Sequence, residues 1–83
     1  MKLLYFAWVR ERIGTAEENL QLPETISNID ELLGWLQGQS EGHAIALADK
    51  DRLRIAVNQT YIRGNPTITD SDEIAIFPPV TGG

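Results

Sequence analysis

The residues with the most to offer chemically stand together at the end of the sequence, Phe77-Pro78-Pro79-Val80-Thr81-Gly82-Gly83. With Gly83 last, the reactive group on offer is its α-carboxylate. A carboxylate is a poor electrophile because its leaving group would be hydroxide or oxide. As an acyl-adenylate it has a good leaving group, and a sulfur nucleophile can displace the nucleotide to leave a thiocarboxylate, –C(=O)–S⁻. Such a group carries sulfur without a cysteine, and the sequence contains none. Glycine at both final positions removes every Cβ, so this segment can thread a narrow channel and accept whatever backbone angles the channel imposes. Pro78 and Pro79 fix φ and make a stiff stalk. Residues 78–83 reach on the order of 20 Å when extended. Gly83 is therefore the expected reactive residue, with Gly82, Thr81, Val80, Pro79 and Pro78 as the segment that delivers it.

No rival constellation competes with it. The absence of cysteine excludes disulfides, thiolate metal sites and a cysteine nucleophile. The single His43 cannot build a histidine cluster, so no metal is expected. There is no nucleophile elbow and no phosphate-binding glycine loop. Asp70, Asp72 and Glu73 are close enough in sequence for a shared carboxylate pair, but a solvated turn accounts for them. His43 reads as a surface or capping residue and Arg10 as a surface charge. Trp8 and Trp35 read as packing residues rather than stacking platforms. The net charge is −5, and the seven basic residues form no run that could track phosphates. That disfavours nucleic acid, and an acidic body suits a partner with a basic surface. No apolar run approaches the roughly 18 residues of a membrane span. Met1–Tyr5 reads as a strand and not as a signal peptide, so a cytoplasmic protein without membrane contact is expected.

The elements that must position the terminal segment follow from periodicity. Residues 2–7 read as a strand with Leu3, Tyr5 and Ala7 on one side and Lys2, Leu4 and Phe6 on the other. Residues 7–13 can form a short helix closed by Gly14. Residues 16–22 alternate loosely and read as a returning strand stopped by Pro23. Ile29, Leu32, Leu33 and Leu36 make the one apolar stripe of the main helix. Ser27 is its expected N-cap, Gly38 its stop, and Gly34 a point where another element can come close. Residues 43–48 read as one or two helical turns. Leu53, Ile55 and Val57 alternate with polar or small residues as a third strand. Asn58-Gln59-Thr60 can turn the chain back into a short pairing at Tyr61-Ile62. Glu73–Phe77 is the last strand, with Ile74 and Ile76 on one face and Ala75 and Phe77 on the other. One helix across one mixed sheet is an α+β, β-grasp (ubiquitin-like) two-layer fold. The expected division is a domain over 1–77 and an extended reactive tail over 78–83. Strand parity turns Phe6 and Phe77 away from the helix-covered face, and Tyr61 lies beside the third strand. An exposed aromatic patch of this kind points to a protein partner.

The chain resembles the ubiquitin-like sulfur-carrier family of molybdopterin synthase small subunits over its whole length. The likeness rests on Leu4-Tyr5-Phe6-Ala7 leading into Val9-Arg10-Glu11 and Gly14, on Ala56-Val57-Asn58-Gln59, and above all on Asp70 to Gly83 with its Phe-Pro-Pro-Val-x-Gly-Gly ending. The resemblance implies a cycle in which a ubiquitin-activating-like adenylyltransferase uses ATP to adenylate Gly83. A sulfur donor protein then converts the adenylate to a thiocarboxylate. The tail enters the large, catalytic subunit, and sulfur passes to cyclic pyranopterin monophosphate to build the dithiolene of molybdopterin. The family forms a heterotetramer of two small and two large subunits. The small subunit is then no enzyme by itself and holds no bound cofactor. The resemblance also places the family's interface on the sheet face of Phe6, Tyr61 and Phe77. It leaves open a ubiquitin-like modifier that forms isopeptide bonds through Gly83, a sulfur carrier for another pathway such as thiazole synthesis, and an interaction domain whose tail is inert.

Overall fold

The computed structural model describes residues 1–79. Five strands form one mixed sheet in the order β2-β1-β5-β3-β4. They are β1 (Lys2–Tyr5), β2 (Glu17–Asn19), β3 (Arg54–Val57), β4 (Thr60–Tyr61) and β5 (Glu73–Phe77). β1 and β5 run parallel at the centre, and the other pairs are antiparallel. The main helix α2 (Ile29–Gln37) lies over one face, flanked by α1 (Ala7–Ile13) and α3 (Glu41–Ala46). All four residues of the α2 stripe are buried, against Leu3, Tyr5, Ile55, Ile74 and Ile76 of the sheet. This is the β-grasp arrangement expected from the sequence, with the short helices α1 and α3 beside the main one.

Several local expectations are corrected. β1 stops at Tyr5, because Ala7 takes a φ of 51° and turns the chain sharply into α1. Gly14 ends that helix as expected, at φ 96°, with its N–H donating to the Arg10 carbonyl. β2 covers only Glu17–Asn19 of the predicted 16–22. The N-cap of α2 is Asn28 and not Ser27: the Asn28 side chain accepts the Glu31 N–H at 2.9 Å. Ser27 instead donates its N–H and Oγ–H to the Glu31 carboxylate, a capping box shifted by one residue. Bridging of Asn28 to Thr67 fixes that choice from outside the helix. Gly34 is exposed and has open space where a Cβ would stand, so no element approaches it. The close approach is at Gly42 of α3, whose backbone lies against Arg12 and Ile13; any side chain there would push α3 off α1. α3 itself begins at Glu41, capped by Ser40, earlier than the predicted 43–48.

Two polar clasps hold the sheet ends. Asn58 and Gln59, both at positive φ, form the two-residue turn of the β3–β4 hairpin, leaving Thr60 in the strand. The Asn58 side chain donates to Asp72 and accepts from the Glu73 N–H. Asp70 accepts the Leu22 N–H at 2.6 Å and the N-terminal amine at 3.2 Å. These donors hold both carboxyls below their ordinary range: the Leu22 amide first for Asp70, the Asn58 amide first for Asp72. The acidic turn at 70–73 is thus an exposed structural latch. No helix of the described residues is long and apolar enough to cross a membrane.

Candidate functional site at the root of the terminal segment

Strand register decides what surrounds the point where β5 runs into Pro78. Leu4, Ala75, Ala56 and Tyr61 are direct neighbours across four strands. They share the face opposite the helices, because the intervening Leu3, Ile74 and Tyr5, Ile76, Ile55 point into the core. Phe77 is the next outward residue of β5, opposite Arg54. Phe6, the last residue before α1, closes the row.

The structure brings the three predicted aromatic residues together. Phe6 and Phe77 meet edge to face at 6.4 Å between ring centroids, and Tyr61 and Phe77 at 5.4 Å. Phe6 is 45% exposed and Tyr61 72%, the two large aromatic side chains left most open to solvent. With Ala7, Ala75 and Pro78 they line a shallow depression of about 370 Å³. Pro78 forms one wall, so the root of the stalk and the aromatic row are one surface. Pro78 and Pro79 are half-buried. Val80, Thr81, Gly82 and Gly83 lie outside the described residues.

On the other side of Pro78 and Pro79 a second depression is lined by Trp8, Asp51 and Arg52. The Arg12 and Arg52 guanidinium carbons lie 4.5 and 5.3 Å from the Trp8 ring centroid. Trp8 is half-buried and packs on the core, as read from sequence, but it also serves as a platform for two cations. The Trp8–Arg12 half was legible as a helical i, i+4 pair; Arg52 arrives from the 3₁₀ turn Lys50–Arg52 and left no sequence signal.

His43 is the clearest correction. It is buried, not on the surface. Its Nε2 lies 2.6 Å from Glu18 Oε1, and its Nδ1 lies 2.7 Å from Ser40 Oγ. The same Glu18 oxygen accepts the Tyr5 hydroxyl at 2.9 Å, and the Tyr5 and His43 rings meet edge to face. Burial, then the bond to Glu18 and its charge, push the Tyr5 phenol far above its ordinary value. The cause is register. Glu18 is the inward residue of β2, opposite Leu3, and a carboxylate turned inward must be met by donors. Tyr5 and His43 meet it, tying β1, β2 and α3 together. The cluster is partly buried, with its polar atoms paired to one another, so its part is structural. Among the described residues, no group of three His, Asp or Glu side chains could hold a metal ion.

The ThiS family model matches residues 3–83. The molybdopterin synthase sulfur carrier subunit of Escherichia coli (strain K12) is 41% identical over all of this chain and 99% of its own length. Among solved structures, a Pyrococcus furiosus protein provisionally assigned as molybdopterin converting factor, subunit 1, is 29% identical. It superposes with a TM-score of 0.68 over 95% of each chain. The small archaeal modifier protein 1 of Methanosarcina acetivorans is also 29% identical with a TM-score of 0.68, over 99% of this chain and 94% of its own. With a whole-length family match, a close whole-length relative and a shared fold, this chain belongs to the ThiS family, alongside the molybdopterin synthase sulfur carrier subunits.

Proposed function

We propose that this chain is the sulfur-carrying subunit of a molybdopterin synthase and that Gly83 is its reactive residue. The observation that carries the reading is the junction at Phe77-Pro78. There the central strand β5 passes directly into the proline stalk beside an exposed aromatic row. An exposed apolar patch next to a threading segment is what a receiving enzyme needs, both to grip the domain and to align the segment with its channel.

In the proposed cycle a Gly83 carboxylate oxygen attacks the α-phosphorus of ATP on a ubiquitin-activating-like adenylyltransferase, and pyrophosphate leaves. Sulfide (HS⁻) released by a donor protein then attacks the acyl carbon, AMP leaves and the thioacid loses its proton, giving the thiocarboxylate. The large subunit grips Phe6, Tyr61 and Phe77, takes in Val80 to Gly83, and supplies the catalytic residues. Each carrier gives up one sulfur, so the two sulfurs of the dithiolene consume two carriers. The carriers act within a heterotetramer of two small and two large subunits. The carrier binds no cofactor of its own, and an ATP-dependent cycle fits the cytoplasm.

Intact-mass measurement after incubation with ATP, the activating enzyme and a sulfur donor tests the reading. The expected result is one oxygen replaced by sulfur at Gly83, and loss of that sulfur when the large subunit and cyclic pyranopterin monophosphate are added. Appending a residue after Gly83, or replacing Gly82 by a bulky residue, should abolish the transfer with the fold intact. An unchanged mass overturns the reading, and lysine-linked conjugates of higher mass assign the chain to protein modification instead.

A further inference from the structure

Two of the basic side chains scattered along the sequence meet in space. Arg12 from α1 and Arg52 from the 3₁₀ turn converge on the Trp8 ring, and Trp8 is held by the core beneath it. A guanidinium lying over an indole uses its flat face for the contact. Its edge of N–H donors stays available in a fixed fork that matches a carboxylate. Among the described residues the N-terminal amine, Lys2, His43 and Lys50 each face a carboxylate at salt-bridge distance. Arg12 and Arg52 do not. Arg52, Trp8 and Asp51 line the depression beside Pro78 and Pro79, and Arg12 lies against the same Trp8 ring, so two guanidiniums gather there with one acidic residue in the lining. In a chain of net charge −5, this is a local reversal of sign.

Its place gives it a use. Pro78 lines both this depression and the aromatic one. A protein that covers the aromatic row and admits residues 80–83 therefore reaches Trp8, Arg12 and Arg52 at the edge of the same footprint. We propose that Arg12 and Arg52, held on Trp8, form a second docking element that pairs with carboxylates on the rim of the large subunit's channel. The inference rests on the reading given above and adds a charged contact to the aromatic one. It also revises the expectation, drawn from net charge, that the partner surface is basic: at the stalk the complementary surface is acidic. The large subunit is the occupant chosen because it holds the carrier as a subunit, over the ground next to the stalk. The aromatic row supplies most of the burial there, and the arginine pair supplies orientation and rate of encounter.

Titration of the full chain against the large subunit at low and high salt tests this, since exposed charge pairs weaken as salt shortens the screening length. Wild-type affinity should fall as salt rises. Arg12→Gln/Arg52→Gln should bind about tenfold more weakly at low salt. It should converge on wild type at high salt and melt at the wild-type temperature. Arg12→Lys/Arg52→Lys, which keeps charge without the fork, should recover the salt dependence and part of the affinity. Wild-type affinity and salt dependence in the glutamine variant overturn the proposal, as does an equal loss at every salt. A defect confined to the activating enzyme also overturns it, placing the acidic rim there. If wild type fails to bind the large subunit at all, the functional reading falls too. If wild type binds, Phe77→Asp does not, and the arginine pair is silent, only this inference falls.

Discussion

The two faces of the sheet carry similarly apolar side chains and use them in opposite ways. On the inner face Leu3, Ile74 and Ile76 are 0% exposed. On the outer face, one residue along the same strands, Leu4, Ala75 and Phe77 are only half-buried, and Phe6 and Tyr61 stand open. Hydrophobicity does not separate the two sets; what lies over them does. α2 lays its stripe on the inner face and completes a core. Among the described residues nothing covers the outer row. Burial on one side holds the fold, and exposure on the other leaves open the apolar surface proposed above as the grip of the large subunit. Substitutions on the two faces should therefore fail in different assays.

The largest effect belongs to the inner face. Leu36 of α2 is fully buried. Leu36→Ala removes apolar contact and leaves a cavity, at a cost of about 2–5 kcal/mol. That is a large share of the roughly 5–15 kcal/mol that holds a small domain. Urea denaturation should show a much lower midpoint, while the folded fraction binds the large subunit with wild-type affinity. A loss of affinity in the folded protein would mean that the two faces are not independent.

The outer face should give the mirror result. Phe77 touches both Phe6 and Tyr61, so it is the hinge of the row. Phe77→Asp should change stability by about 1 kcal/mol or less. It should weaken binding to the large subunit by about 2 kcal/mol or more, as a central aromatic anchor does. Calorimetric titration beside a thermal melt separates the two quantities. A variant that binds normally would remove the aromatic row from the interface.

How much of this was legible depends on whether one element or two had to be known. The α2 stripe and the inward and outward residues of β5 follow from local periodicity, and the structure places them as expected. So does the outward parity of Phe6 and Phe77. Where a second residue carries the same local signal as the one chosen, contacts from outside the element decide. Ser27 and Asn28 each precede an acidic residue by three positions, and it is the Asn28 bridge to Thr67 that decides. Gly34 and Gly42 are both glycines on helices, but only Gly42 has another helix against it. His43 was misread because its role depends on Glu18, 25 residues away. Arg52 joins Trp8 for the same reason: the pairing exists only once α1 and the 3₁₀ turn are folded together. Residues 80–83, where the chemistry is proposed, lie outside the described residues.

The buried polar cluster offers the smallest and most selective way to separate the faces. Tyr5 lies inside the core with its hydroxyl donating to Glu18, which His43 also meets. In the folded chain burial, then the hydrogen bond and charge of Glu18, keep the phenol protonated far above the ordinary tyrosine value near 10. In the unfolded chain it ionises near that value. Above about pH 10 the unfolded state therefore binds fewer protons than the folded one, and stability falls as pH rises. Below that pH the contribution is fully present. Tyr5→Phe loses one hydrogen bond, at a cost of about 1 kcal/mol near neutral pH, and leaves Glu18 its contact with His43. Its stability should then decline less steeply than wild type in urea denaturation from roughly pH 8 to 11. Phe77→Asp, on the other face, should track the wild-type profile throughout. If Tyr5→Phe and wild type decline in parallel, the alkaline loss does not originate in the buried phenol, and the cluster's hold on β2 and α3 must be sought in Glu18 and His43 alone.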